Sequence, residues 1–225
     1  MIVVDNENIL VEKLEIEIKN TGHITNTYIL KDKNTNKGIV IDPAYNAEFI
    51  EEKLTELEIN LDKIIITHAH ADHIAALATL QKDKDVKVYI HKLDYDGLFD
   101  KTLNEEEIVG VKVDAVDNNS VIKFEDHEII NCGNTNLEVI HTPGHTRGGV
   151  ILYDKANNIL FSGDTIFERT YGRTDLITGS HDDMKNSLNI ICDRFDDVFV
   201  LPGHGMEFNL KNSKRRIRLL FAYKG

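Results

Sequence analysis

Thr67-His68-Ala69-His70-Ala71-Asp72-His73 follows the apolar run Ile64-Ile65-Ile66, and the fold turns on that junction. The apolar run has the β-branched content of a buried strand. Four side chains able to hold a metal then leave its tip within six positions, His68 to His73. On an extended segment residues i and i+2 point to the same side, so His68 and His70 can grip one ion together. Asp72 and His73 lie where the chain turns into the helix that Ile74-Ala75-Ala76-Leu77 points to, free to face a second ion. Imidazole and carboxylate without thiolate suit zinc, iron or manganese. A merely histidine-rich polar loop is the bland alternative. Against it, three of the ten histidines fall in these six positions directly after a strand.

Upstream, Leu14–Ile18 alternates with period two, and Thr27–Leu30 and Gly38–Ile41 read as strands around the turn-prone Lys33–Lys37. Asp42-Pro43 ends the third strand. From Ala47 to Glu58 the apolar residues Phe49, Ile50, Leu54 and Leu57 recur at helical spacing. Lys63–Ile66 and Val86–Ile90 are strands either side of the histidine loop and a short helix. Residues 94–120 are weakly patterned and read as short helix and loop.

The second half repeats that order. Strands at Ile122–Phe124, Glu128–Ile130 and Leu137–Ile140 lead to His141-Thr142-Pro143-Gly144-His145. Gly149–Tyr153 and Asn158–Phe161 form a hairpin, Met184–Phe195 an amphipathic helix, Val198–Leu201 a strand and Leu210–Tyr223 a basic helix. Strand-rich halves, each followed by helix and strand, predict an α/β (α+β) architecture of two sheets face to face with helices outside. No linker rich in Gly, Ser or Pro divides the halves, so residues 1–225 are expected to form a single domain.

Bulk properties narrow the function. A net charge of −12, from 26 basic and 38 acidic residues, argues against nucleic acid or an anionic membrane as partner. Cys132 and Cys192 are too few for a disulfide framework and read as buried thiols in a reducing cytosol. The N-terminus lacks the basic and apolar regions of a signal peptide, and no stretch reaches the ~20 apolar residues of a membrane span. A cytoplasmic protein is expected.

Three more strand ends bear candidate ligands: Pro143-Gly144-His145-Thr146, Ser162-Gly163-Asp164-Thr165 and Pro202-Gly203-His204-Gly205. Glycine adjoins the ligand in each, as where backbone passes close to an ion or turns sharply. With Thr67–His73, these motifs resemble the signature of the metallo-β-lactamase superfamily, over about Asn26 to Gly205. The resemblance implies an αββα sandwich. It implies one metal on His68, His70 and His145, a second on Asp72, His73 and His204, and Asp164 between them, with two Zn2+ per chain. Phe161–Phe167 followed by Gly172-Arg173-Thr174-Asp175-Leu176 looks like glyoxalase II and its short bacterial relatives, which hydrolyse glutathione thioesters. Only 21 residues follow His204, so the C-terminal helical glutathione-binding domain of the long enzymes is expected to be absent.

Water on such metals has a pKa of roughly 7, so hydroxide is available at neutral pH, with Asp72 and Asp164 as the catalytic carboxylates beside it. A thiol leaving group, of pKa about 8.5, departs without a proton donor, whereas an amine does not. Hydrolysis of a small acyl-thiol by a binuclear zinc thioesterase is therefore the leading expectation, and lactone opening comes next. Arg173 suits a substrate carboxylate through its planar fork, or else pairs internally with Asp175. Arg169 and Tyr171 are further rim candidates. His141 reads as a residue orienting the His145 loop. His23, His91 and His127 default to surface or core, and His181 is placed at the pocket or nowhere functional. Lys214-Arg215-Arg216, beside Lys211 and Arg218, is a solvated helix face or a site for a phosphate-bearing thioester. The rival enzyme is a persulfide dioxygenase, which resembles this chain in the same loops and binds one Fe2+ through the equivalents of His68, His145 and Asp164. A non-catalytic metal-binding module is the rival from outside enzymology.

Overall fold

Strand direction explains where this chain gathers its loops. The computed structural model describes residues 1–18, 21–82 and 86–222. The first sheet has seven strands in sequence order: β1 (Ile2–Asp5), β2 (Ile9–Glu17), β3 (Ile24–Asp32), β4 (Lys37–Ile41), β5 (Asn60–Ile65), β6 (Lys87–His91) and β7 (Val121–Phe124). β1 to β4 are antiparallel neighbours, and β4 to β7 run parallel. The second sheet has six strands, β8 (Ile129–Cys132), β9 (Thr135–His141), β10 (Val150–Asp154), β11 (Ile159–Gly163), β12 (Phe199–Pro202) and β13 (Phe208–Asn209). There β9 and β11 both oppose β10, and β12 runs parallel to β11. The carboxyl ends of β9, β11 and β12 therefore share one edge of their sheet, as those of β4 and β5 share one edge of theirs.

The inner faces of the two sheets meet in a core that includes Val11, Leu30, Ile65, Leu137, Leu152 and Phe161. A second cluster packs the outer face of the first sheet against α1 (Ala47–Glu56), α2 (Ala71–Ile74) and α3 (Leu77–Gln81), through Ile50, Leu54, Ile74 and Leu80. After a fourth helix, α4 (Glu106–Val109), the chain makes α5 (His181–Arg194) and α6 (Leu210–Ala222). These two cover the outer face of the second sheet with Met184, Leu188, Ile191 and Ile217. The result is the αββα sandwich expected from the sequence.

Local chemistry sets the helix ends. Asn46 caps α1 by accepting the Phe49 N–H, and Ser180 caps α5 by accepting the Asp183 N–H beside the acidic first turn of Asp182 and Asp183. Both cysteines are buried and unbridged, and burial pushes the Cys132 thiol up to about 12.

The sheets depart from expectation in three ways. Ile122–Phe124, grouped with the second half by its position in sequence, is β7 and pairs parallel with β6 in the first sheet. The first expected strand starts five residues earlier, at Ile9, and pairs with an unforeseen edge strand, β1, whose Ile2 is half exposed and gives no alternating pattern. The short β13 was also not foreseen. Residues 94–120 hold α4 between 3-10 turns at Tyr95–Leu98 and Asn118–Ser120. Tyr223, the expected end of the last helix, lies outside the described residues. Among those residues no helix is long and apolar enough to cross a membrane.

Phe161 is fully buried between the sheets, edge-on to Tyr28 at 5.5 Å between ring centroids. Phe161→Ala is expected to lower stability by about 3–5 kcal/mol, read from urea unfolding of the metal-free protein. A loss below about 1 kcal/mol would place the centre of the core elsewhere.

Candidate metal centre

Each candidate ligand stands just past a strand end on the shared edge. His68 and His70 follow β5, and α2 sets Asp72 and His73 on its single turn. His145 sits in the return from β9 to β10, Asp164 directly after β11 and His204 two residues after β12. Two glycines make the close approach possible. Gly163 has φ +46°, and a Cβ on it would lie 2.4 Å from Thr67 Oγ1. A Cβ on Gly203 would lie 2.3 Å from Asp164 Oδ1 and 2.7 Å from His73 Cε1.

All seven side chains converge. His70 Nδ1 is 2.9 Å from His145 Nε2, and His145 Nε2 is 3.5 Å from Asp164 Oδ2. His204 Nε2 lies 3.2 Å from both Asp72 Oδ2 and Asp164 Oδ2. His73 Nε2 is 3.4 Å from Asp72 Oδ2 and 3.5 Å from Asp164 Oδ1. Donor atoms of His68, His70 and His145 fall within 4.8 Å of one another, as do those of His73, Asp164 and His204. Two of these atoms, His68 Nε2 and Asp164 Oδ1, are buried without any hydrogen-bond partner. Buried polar atoms left bare are costly, and a cation between them removes that cost. The donor set thus fits two divalent ions.

The outward atoms of the rings are held by oxygen acceptors, which fixes each tautomer. His145 Nδ1 faces the Arg173 carbonyl at 2.8 Å, and His204 Nδ1 the Ile24 carbonyl at 2.6 Å. His73 Nδ1 faces Asp42 Oδ2 at 2.9 Å. Each then turns Nε2 inward, the atom that would face an ion once any proton on it is displaced. Asp42 is a residue the sequence reading missed, noted only as a strand end. Its left-handed backbone, φ 52°, turns a buried carboxylate onto His73 and onto the Thr67 N–H and hydroxyl at 2.7 and 2.6 Å. Asp94, also missed, accepts from the Thr146 hydroxyl and from the Ala69 and Gly148 N–H groups, tying the His68 loop to the His145 loop.

His23, read as surface or core, comes to the centre instead: its Nε2 is 2.9 Å from Asp72 Oδ2, where the Thr25 hydroxyl also donates. His141 holds the Arg147 carbonyl at 2.9 Å and stacks on buried His91, so it supports the loop of His145. His127 is exposed beside Asp126 and Glu138, and His181 opens α5 near the Tyr171 ring.

Electrostatics match a site built for cations. Burial keeps His68 and His70 neutral, with His70 lowered to about 3. Burial opposes charge on His73 and His204 too, yet the carboxylates of Asp72 and Asp164 overcome it and raise them to about 9 and about 11. Burial likewise disfavours ionised Asp72 and Asp164, but these histidines hold both carboxyls well below the usual range.

A cavity of about 620 Å3 opens over the centre. Its lining combines polar His23, His70, Asp72, His145, Asp164 and His204 with apolar Ile108, Val109, Phe167 and Leu176, and with Arg173 and Glu105. Arg173 makes the internal pair weighed for it: Nε and Nη2 each bond Asp175 at 2.8 Å. Arg169 pairs with Glu168, and neither it nor Tyr171 lines the cavity. On the basic helix, Lys214 pairs with Asp196 and Arg218 with Asp193.

The sequence profile described as the metallo-beta-lactamase superfamily matches residues 20–204. A probable metallo-hydrolase, YqgX, of Bacillus subtilis is 33% identical over 75% of this chain and 80% of its own length. Hydroxyacylglutathione hydrolase GloC of Haemophilus influenzae is 28% identical over 87% of this chain and 92% of its own. Two solved structures superpose over nearly the whole fold. The BLEG-1 B3 metallo-beta-lactamase has TM-score 0.83 and 27% identity, covering 94% of this chain and 99% of that one. TTHA1623 in a di-iron-bound form has TM-score 0.80 and 26% identity, covering 92% and 99%.

Two outcomes follow from the geometry. His73 and His204, raised to about 9 and about 11, hold protons at pH 7 in the metal-free chain, and an ion must displace them. Metal binding at pH 7 should therefore release up to two protons and tighten as pH rises toward 9. Calorimetry in buffers of different ionisation enthalpy checks this, and zero release would contradict it. Asp42→Asn should weaken metal binding about 10–100-fold in a chelator competition, and unchanged affinity would remove Asp42 from the support of His73.

Proposed function

The chain belongs to the metallo-beta-lactamase superfamily and is a metal-dependent hydrolase of that superfamily; from this premise we propose that it is a binuclear thioesterase acting on a small acyl-thiol. His68, His70 and His145 would hold one ion and Asp72, His73 and His204 the other, with Asp164 shared. Bound there, two divalent ions supply Lewis acidity and water acidified to a pKa of about 7. The protein's own residues do the rest. Asp42 and the carbonyls of Arg173 and Ile24 keep the histidine lone pairs aimed inward. Histidine contacts, against the pull of burial, hold Asp72 and Asp164 as carboxylates.

That last property is the observation on which the choice of substrate rests. Ionised carboxyls cannot hand a proton to a leaving group, and the third acid at the cavity, Glu105, is engaged by the Ile177 N–H at 3.1 Å. Amide hydrolysis expels an amine and needs such a proton. A thiol of pKa about 8.5 leaves as thiolate and does not. The GloC relative, a hydroxyacylglutathione hydrolase by name, supports the same chemistry. Zinc is the ion proposed, and the di-iron form of TTHA1623 supports iron as the alternative.

Protein loaded with two equivalents of Zn2+ should release thiol from a panel of acyl thioesters, followed with a thiol-reactive dye. Asp164→Asn should abolish turnover. Failure to cleave any thioester while opening lactones or consuming oxygen with a persulfide would overturn the thioesterase reading.

A further inference from the structure

The apolar wall of the cavity is built from three separate segments. Ile108 and Val109 come from α4, and Leu176 from the loop before α5, with Phe167 completing the face. Ile108 and its neighbour Ile177 are more than half exposed, at 64% and 60%. Both also line a smaller recess of about 250 Å3, where Lys101, Thr102, Glu105 and Glu107 surround them. At the edge of a cavity, two such side chains on one recess form the apolar border that a ligand groove presents.

The wall is fixed to the metal loop. The Ala71 N–H, at the start of the helix bearing Asp72 and His73, donates to the Asn104 carbonyl at 2.8 Å. Glu105, in the left-handed region at φ 60°, accepts the Ile177 N–H and so joins α4 to the opposite segment. Among the described residues Arg173 is the one Lys or Arg lining the cavity, and it is paired. Arg173 is held bidentately by Asp175, with Glu105 adding to the pull.

We propose that this wall seats the acyl arm of the substrate, making the protein selective for thioesters of uncharged, apolar acyl groups several carbons long. The inference rests on the thioesterase reading and adds the substrate class. Orientation follows from charge. Negative charge grows on sulfur as the carbon–sulfur bond breaks, and an apolar wall without a free cation disfavours it there. The sulfur side therefore faces the open mouth, and the acyl side faces Ile108, Val109, Phe167 and Leu176. An acyl chain ending in a carboxylate would meet Glu105 and an Arg173 already paired.

The test uses straight-chain acyl thioesters of one small neutral thiol, acetyl to octanoyl, with succinyl as the charged comparison, and two-zinc protein. Specificity, kcat/KM, should rise about two- to fourfold per added methylene over the first several carbons and fall for succinyl. Ile108→Asp, at an exposed position, should flatten the rise. Binding of the matching non-hydrolysable alkyl thioethers to metal-free protein, by calorimetry, should show the same dependence on length. A flat or falling series in protein that does cleave thioesters, with no length dependence in thioether binding, would overturn the acyl-wall assignment and leave the thioesterase reading standing. Absence of cleavage across the whole series would overturn both.

Discussion

Asp42, Asp72 and Asp164 lie in the interior with histidines and, among the described residues, no Lys or Arg at ion-pair distance. That constraint governs the molecule. Buried carboxylates without a partner cost several kcal/mol each, so the fold must supply positive charge at this one place. Protons on His73 and His204 meet the need in the metal-free chain, and divalent ions would meet it while also engaging the bare His68 Nε2 and Asp164 Oδ1. Stability and function are thereby tied together: the groups that are expensive to bury are the groups that would bind the ions.

The two sheets exist, in this light, to bring strand ends to a common edge. Parallel β4 and β5 deliver Asp42 and the histidine loop, while β9, β11 and β12 deliver His145, Asp164 and His204 from the other sheet. Cross-sheet bonds lock the edge. The Val150 N–H donates to the Thr67 carbonyl at 3.0 Å, and the Asn26 N–H to the Gly203 carbonyl at 2.7 Å. Asn26 and Tyr28 side chains both hold the Pro202 carbonyl, so the His204 loop is braced from β3.

Much of this was legible in the sequence because the signals were local. An apolar run followed by His68, His70, Asp72 and His73 is a strand with candidate ligands at its tip, and Gly163 and Gly203 announce close approach. The supporting residues were illegible for the opposite reason. Nothing near Asp42 in sequence says that it will meet His73, 31 positions on, nor does anything near His23 say that it will meet Asp72, 49 positions on. The same holds for β7, whose parallel pairing with β6 spans the weakly patterned stretch 94–120. That stretch reads only as short helix and loop, since α4 is one turn long and shows no period, yet it supplies Ile108 and Val109 to the apolar cavity wall. Arg173 shows a further limit, since a fork suited to a substrate carboxylate is equally suited to Asp175 two residues away, and the local partner is the one it takes.

Anomalous diffraction from crystals of the metal-loaded protein tests the centre most directly. Two peaks are expected, about 3.5–4 Å apart, one within about 2.2 Å of nitrogens of His68, His70 and His145, the other near Asp72, His73 and His204, with Asp164 reaching both. Ions bound elsewhere, or a loaded protein in which His145, Asp164 or His204 turns away from the metal, would contradict it.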